Sequence, residues 1–185
     1  MQDLKNESLY VLDFDGVVCD STLECLVTSW NAWQEIDGKK IKKFSEKQFS
    51  KNQIKEFYRL RPYVKGAGEY FTIYQAKKKN IVIDNDHKFR ELSLFWKSEI
   101  TEYKNLFYRE RDLLRDADLE NWVNLHFIYS EVIKFLRDKL PLKQIYVATL
   151  KDGKSVRNIL EKQKIFLDKS LLFDESKISS KLEAL

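Results

Sequence analysis

Leu9-Tyr10-Val11-Leu12-Asp13-Phe14-Asp15-Gly16-Val17-Val18 decides how this chain is read. A short apolar run containing β-formers ends at two carboxylates and a glycine. This is the pattern of a buried strand that delivers Asp13 and Asp15 to its C-terminal edge. Two carboxylates two positions apart repel each other and lose solvation unless a cation offsets them, and hard oxygen donors suit Mg²⁺. The first is suited to attack an electrophilic phosphorus while also binding the metal. The second is suited to hold the proton that the leaving group needs. Gly16 lets the loop turn sharply and brings backbone N–H groups near a charged ligand. The competing reading is an acidic turn after a strand, since Asp and Gly are ordinary turn residues.

Beyond this stretch the character changes. Ser21-Thr22-Leu23-Glu24 fits a capping box, and Leu23, Leu26, Val27 and Trp30 follow as one helical stripe. Ser45, with Gln48 three residues on, opens a second helix through Phe49, Phe57 and Leu60, which Pro62 interrupts. Gly66 and Gly68 mark a turn before a helical Tyr70–Ala76 segment. Ile81-Val82-Ile83-Asp84 fits a strand or a buried helix equally well. From Asp86 to Asp116 the chain is charged, aromatic and free of Gly and Pro, which predicts one long helix or a helical pair. Leu119–Leu140 is helical in its second half, with Val132, Ile133 and Leu136 on one face and Pro141 closing it.

The strand signal then returns in Gln144–Thr149. Gly153 opens a helix with Val156, Ile159 and Leu160, and Ser170–Phe173 reads as another strand. One strand, about a hundred residues of helix and a strand-helix-strand unit predict an α/β fold. Its core is a Rossmann-like parallel sheet from residues 1–19 and 126–185, with residues 20–125 inserted as an α-helical cap.

Composition bounds the function. The 185 residues are 43% hydrophobic and 34% charged, enough apolar surface to order a chain of this length. Lys+Arg 33 against Asp+Glu 29 gives +4, and acidic residues interrupt the Lys39–Lys43 and Lys77–Lys79 runs. That is a set of solvated helix faces rather than the basic stripe of a nucleic-acid protein, so no nucleic-acid partner is expected. Cys19 and Cys25 have no zinc spacing and cannot staple a secreted miniature fold, so a cytoplasmic, reducing compartment is expected. No signal peptide is visible, and no apolar run approaches the roughly 18–20 residues of a membrane helix, so no membrane partner is expected. Glycine is scarce: 5 are present where average usage would give about 13.

Leu9–Val18 resembles the first motif of the haloacid dehalogenase-like (HAD) hydrolase superfamily, an apolar strand followed by Asp-x-Asp-Gly-Thr or Val. The resemblance implies that Asp13 is a nucleophile that becomes transiently phosphorylated. Asp15 is then the general acid/base and ligates Mg²⁺ through its backbone carbonyl. The dehalogenase branch lacks the second Asp, so Asp15 points to phosphate chemistry. The family's second motif, a strand-final Thr or Ser, corresponds to Thr149, whose hydroxyl would hold the transferring phosphoryl group. The third, a Lys near a helix start, corresponds to Lys181, with Lys177 as the alternative; its cation offsets the charge on nucleophile and phosphate.

The helical insertion is similar to the caps of this family, which exclude water and select substrates. Within it, Arg61-Pro62-Tyr63 resembles arginine-containing cap segments that contact substrate, while a plain helix-end arginine is the alternative. Trp30, Trp33, Trp96 and Trp122 read as core, and His87 and His126 have no partner spacing. The implied substrate is a small phosphorylated metabolite, with hydrolase and phosphomutase both open.

The fourth motif, one or two metal-binding aspartates beyond the lysine, has no counterpart before Leu185. The expectation is a piece of a longer phosphatase, C-terminally incomplete and poorly active. The alternative is a complete, non-catalytic interaction module on the same scaffold.

Overall fold

The strand expected ahead of Asp13 is present in a computed structural model of the chain, which describes residues 8–142, 144–174 and 176–177. Among these the strands are β1 (Tyr10–Leu12), β2 (Cys19–Asp20), β3 (Phe127–Ile128), β4 (Ile145–Ala148) and β5 (Leu172–Phe173). The helices are α1 (Thr22–Ile36), α2 (Lys51–Leu60), α3 (Tyr70–Lys78), α4 (Asp86–Phe95), α5 (Lys97–Ala117), α6 (Leu119–Asn124), α7 (Ser130–Lys139) and α8 (Gly153–Lys162). The protein is therefore mixed α/β, dominated by helix, with a small parallel sheet of order β1-β4-β5. It divides into two compact units: the described residues through Ser21 and from His126 onward, and Thr22–Leu125.

In the sheet unit, β1 pairs in parallel with β4 through Tyr10↔Ile145, Val11↔Tyr146 and Leu12↔Val147. The Tyr10 N–H extends the ladder to the Gln144 carbonyl at 2.7 Å. On the far side of β4, β5 adds Val147↔Leu172 and Ala148↔Phe173. Parallel neighbours need a crossover, and α8 supplies it between β4 and β5. Its Val156, Ile159 and Leu160 are fully buried, as are Ile145, Val147 and, on α7, Leu136. The segment on either side of the helical insertion is tied into a second sheet, in which β2 and β3 pair antiparallel through Cys19↔Ile128 and Asp20↔Phe127.

The helical unit is built around aromatic rings. Tyr70 on α3 stacks between Phe57 and Phe107 at 5.5 and 5.3 Å, and Phe71 meets Trp33, Trp96 and Tyr103 edge-on. Trp33, Trp96 and Trp122 are buried, consistent with their reading as core, and Trp30 is half-buried. Burial pushes the Tyr103 phenol well above its ordinary pKa, so it stays neutral and donates to the Ser29 carbonyl at 2.5 Å.

Several local expectations are corrected. Ser45 and Gln48 do form a capping box, but on a single 3₁₀ turn; α2 starts later, at Lys51, with its own box from Ser50 and Gln53. Phe49 therefore lies outside the helix. Of the two forms expected for Asp86–Asp116, the helical pair is the one found, with its break at Trp96. Ile81–Asp84 is neither helix nor strand. No capping box joins Ser21 to Glu24. The Ser21 hydroxyl turns to Asp15, and the Glu24 carboxylate goes to α5. There Arg111 grips it with two N–H groups at 2.9 and 3.0 Å, and the Thr28 hydroxyl adds a third bond at 2.8 Å.

Glu24 and Arg111 are both buried, so each charge depends on the other. Glu24→Ala is expected to lower the unfolding free energy by about 3–5 kcal/mol, because it removes the carboxylate that takes two N–H groups of a buried guanidinium. The double variant Glu24→Leu/Arg111→Met is expected to lose less than the single one, as measured by urea denaturation.

Candidate active site

The C-terminal ends of β1 and β4 lie side by side because the strands are parallel and in register. Asp13 directly follows β1, and its Oδ1 accepts the Phe14 N–H at 2.7 Å. The chain then folds tightly over the Phe14 carbonyl, which accepts N–H groups from Val17, Val18 and Cys19 at 3.3, 2.8 and 3.2 Å. Phe14 itself is fully buried and pins this loop to the core. Gly16 has φ +84°, a left-handed conformation that side chains strain, and its N–H closes the loop on the Cys19 carbonyl at 2.8 Å.

That loop places Asp15 against two donors. The Ser21 hydroxyl donates to Asp15 Oδ1 at 2.5 Å. Lys151 Nζ stands 3.4 Å from the same oxygen, and its side chain is wholly buried. Lys151 lies just past β4, two residues beyond Thr149. The Thr149 N–H donates to the Phe173 carbonyl at 2.9 Å, which fixes the strand end. Its hydroxyl accepts the Lys151 N–H at 3.1 Å. Thr149 is 1% exposed, and among the described residues its hydroxyl donates to no acceptor.

The structure thus brings Asp13, Asp15 and Thr149 to one sheet edge. Lys181 lies outside the described residues. Lys177, the alternative, is committed elsewhere: its Nζ donates to the carbonyls of Lys169 and Leu172 at 2.7 and 2.6 Å and sits over the Phe173 ring. Arg61, in the helical unit, bonds the Val64 carbonyl at 3.1 Å and lies 5.8 Å from the Tyr70 ring centre, as a helix-end arginine does. His87 is exposed and His126 is buried.

Sequence reasoning missed Ser21 and Lys151. Lys151 had a readable signal, since it falls between a strand-final threonine and Asp152, the N-cap of α8. The family resemblance instead points to a lysine beyond the following strand. Ser21 was legible only as a helix cap, because its bond to Asp15 depends on the turn at Gly16.

Asp13 and Asp15 offer the hard oxygens that Mg²⁺ prefers. Among the described residues no group of three His, Cys, Asp or Glu side chains gathers around a common point. Mg²⁺ is commonly held by one or two carboxylates with waters and substrate phosphate, so the pair fits the ion by donor chemistry. Asp174 follows β5, which β4 separates from β1. Its Oδ1 accepts the N–H and hydroxyl of Ser176, and its Oδ2 lies against Gly153 at the start of α8.

Two cavities, of about 410 and 610 Å³, are lined by helical-unit residues alone. Among the described residues no helix is long and apolar enough to cross a membrane. No family model, curated protein or solved structure matches this chain.

A Cβ at Gly153 would collide with the Asp174 carboxylate, whereas one at Gly66 would meet nothing within 4 Å. Gly153→Ala is expected to cost about 1 kcal/mol, because the atom in the way is the tip of the Asp174 side chain, which can swing aside. Gly66→Ala, as the control, should stay within about 0.5 kcal/mol in thermal unfolding.

Proposed function

We propose that the protein is a Mg²⁺-dependent phosphomonoester hydrolase of the HAD type, acting on a small phosphorylated metabolite. In this reading the sheet unit is a Rossmann-like core and the helical unit its inserted cap. One observation carries it. The parallel β1–β4 pairing supports it: Asp13 and Asp15 follow β1 and Thr149 follows β4 at the same end of the sheet, and the buried Thr149 hydroxyl has no acceptor for its proton among the described residues.

The chemistry follows from the groups at that edge. An Asp13 carboxylate oxygen attacks phosphorus and the bond to the leaving oxygen breaks, giving an aspartyl phosphate. Asp15 donates a proton to the leaving alkoxide, then takes one from the water that attacks the phosphorus in the second step. The Thr149 hydroxyl donates to a non-bridging phosphoryl oxygen, where negative charge must be held throughout. Mg²⁺, held by the Asp13 carboxylate and the Asp15 carbonyl, would supply charge neutralisation at the phosphoryl oxygens. The products are inorganic phosphate and an alcohol. A phosphomutase would use the same residues and return the phosphoryl group to carbon-bound oxygen.

A second reading is a non-catalytic module on the same scaffold. It is favoured by the engagement of Asp15 Oδ1 with both Ser21 and Lys151, which a purely structural carboxylate would also show.

The test is release of inorganic phosphate from 4-nitrophenyl phosphate. Release is expected to require Mg²⁺, to fall to background in Asp13→Asn, and to drop by about 100-fold in Thr149→Ala. Activity that survives Asp13→Asn would overturn the mechanism. Phosphate binding without turnover would favour the second reading.

A further inference from the structure

We infer that Lys151 is a positioning residue, which couples the proton-carrying carboxylate at the end of β1 to the phosphoryl-holding hydroxyl at the end of β4. The inference rests on the phosphatase reading and assigns a part to a residue that the sequence motifs did not reach.

Lys151 touches two different functional groups. Its ammonium faces Asp15 Oδ1 at 3.4 Å, with the side chain wholly buried. Its backbone N–H donates to Thr149 Oγ1 at 3.1 Å. A hydroxyl that accepts from an N–H keeps its own proton for donation, and this proton is the one that a phosphoryl oxygen would take. The ammonium contact acts on the other partner. Together with the Ser21 hydroxyl at 2.5 Å, it fixes where one oxygen of Asp15 stands.

The other lysines read from the sequence do not compete for this place among the described residues. Lys177 spends its donors on the carbonyls of Lys169 and Leu172, and Lys181 is outside those residues. Burial of an ammonium is costly without a nearby anion, and Asp15 is the carboxylate recorded beside it. The 3.4 Å separation is longer than the 2.7–2.9 Å of a tight charge-assisted bond. That geometry suits a cation that orients the carboxylate rather than binding it in a tight pair.

Because Lys151 acts through Asp15, its effect must track how much the leaving group needs a proton. An alkyl phosphate needs it; 2,4-dinitrophenyl phosphate, with an acidic phenol, does not. Lys151→Met is expected to lower kcat on phenylethyl phosphate by about 100-fold, and on 2,4-dinitrophenyl phosphate by less than about 5-fold. Lys151→Arg should recover most of the alkyl-phosphate loss and, with its longer side chain, keeps the test open should the methionine variant fail to fold. Asp15→Asn should show the same asymmetry, and adding Lys151→Met to it should cost nothing further on the alkyl substrate.

Equal losses on both substrates, or full additivity with Asp15→Asn, would overturn the positioning part and leave the phosphatase reading standing. A wild-type protein that hydrolyses neither substrate with Mg²⁺ present would overturn both.

Discussion

Everything at the candidate site depends on three residue pairs, Tyr10↔Ile145, Val11↔Tyr146 and Leu12↔Val147. They join strands that the sequence separates by the whole helical unit. A slip of one residue in β4 would turn Val147 away from the core and move Thr149 to the opposite face. The register is held because Ile145 and Val147 are fully buried on one side while α8 packs Val156, Ile159 and Leu160 beneath. The entropic cost of closing so long an excursion grows only logarithmically with its length. A three-strand sheet can therefore carry an insertion larger than itself, provided the two points of departure are fastened. The short β2–β3 ribbon and the Tyr129 N–H on the Val18 carbonyl, at 3.1 Å, fasten them.

Two ion pairs, one wholly buried and one with a buried cation and a partly exposed carboxylate, show how differently the same physics can be used. Glu24 and Arg111 meet through two short parallel bonds, with a threonine hydroxyl on the same carboxylate. Such a pair is rigid, and its charges have no reason to change. Asp15 and Lys151 stand 3.4 Å apart beside a loop that a positive-φ glycine turns. Both pairs incur the cost of burying charge. In the helical unit that cost sets the packing of α1 against α5; at the sheet edge it sets the orientation of a carboxylate next to a second one.

The sheet was legible where the sequence was redundant. Leu9–Leu12 and Ile145–Ala148 combine apolar runs, β-branched residues and a polar terminus, and each signal supports the others. The helical pair across Asp86–Ala117 was legible as helix, although its break at Trp96 was not, since no Gly or Pro marks it. Ser45 and Gln48 misled because a capping box fixes the start of a turn without saying how many residues follow it. At the site, Asp13 and Asp15 could be named from their place at a strand end, whereas Thr149 was named only through the family resemblance, since a strand-final threonine says little by itself. Ser21 and Lys151 could not be named, because their roles arise only when the Gly16 turn and the β1–β4 pairing bring their side chains to one oxygen. A tertiary meeting point leaves no periodic trace in the chain.

The scarcity of glycine makes the two at this edge informative. Gly16 is needed for its backbone, at φ +84°, and Gly153 for its missing side chain, since Asp174 occupies the space a Cβ would take. The second requirement bears on the electrostatics. A helix start attracts anions through its unsatisfied N–H groups and dipole, and at α8 two carboxylates already stand there: Asp152 as the N-cap and Asp174 against Gly153. A phosphoryl group held by Thr149 would meet those negative groups rather than an open ring of donors. Positive charge from another source is then required near the strand ends. In the phosphatase reading, the buried ammonium of Lys151, on the residue before the cap, is one such charge among the described residues.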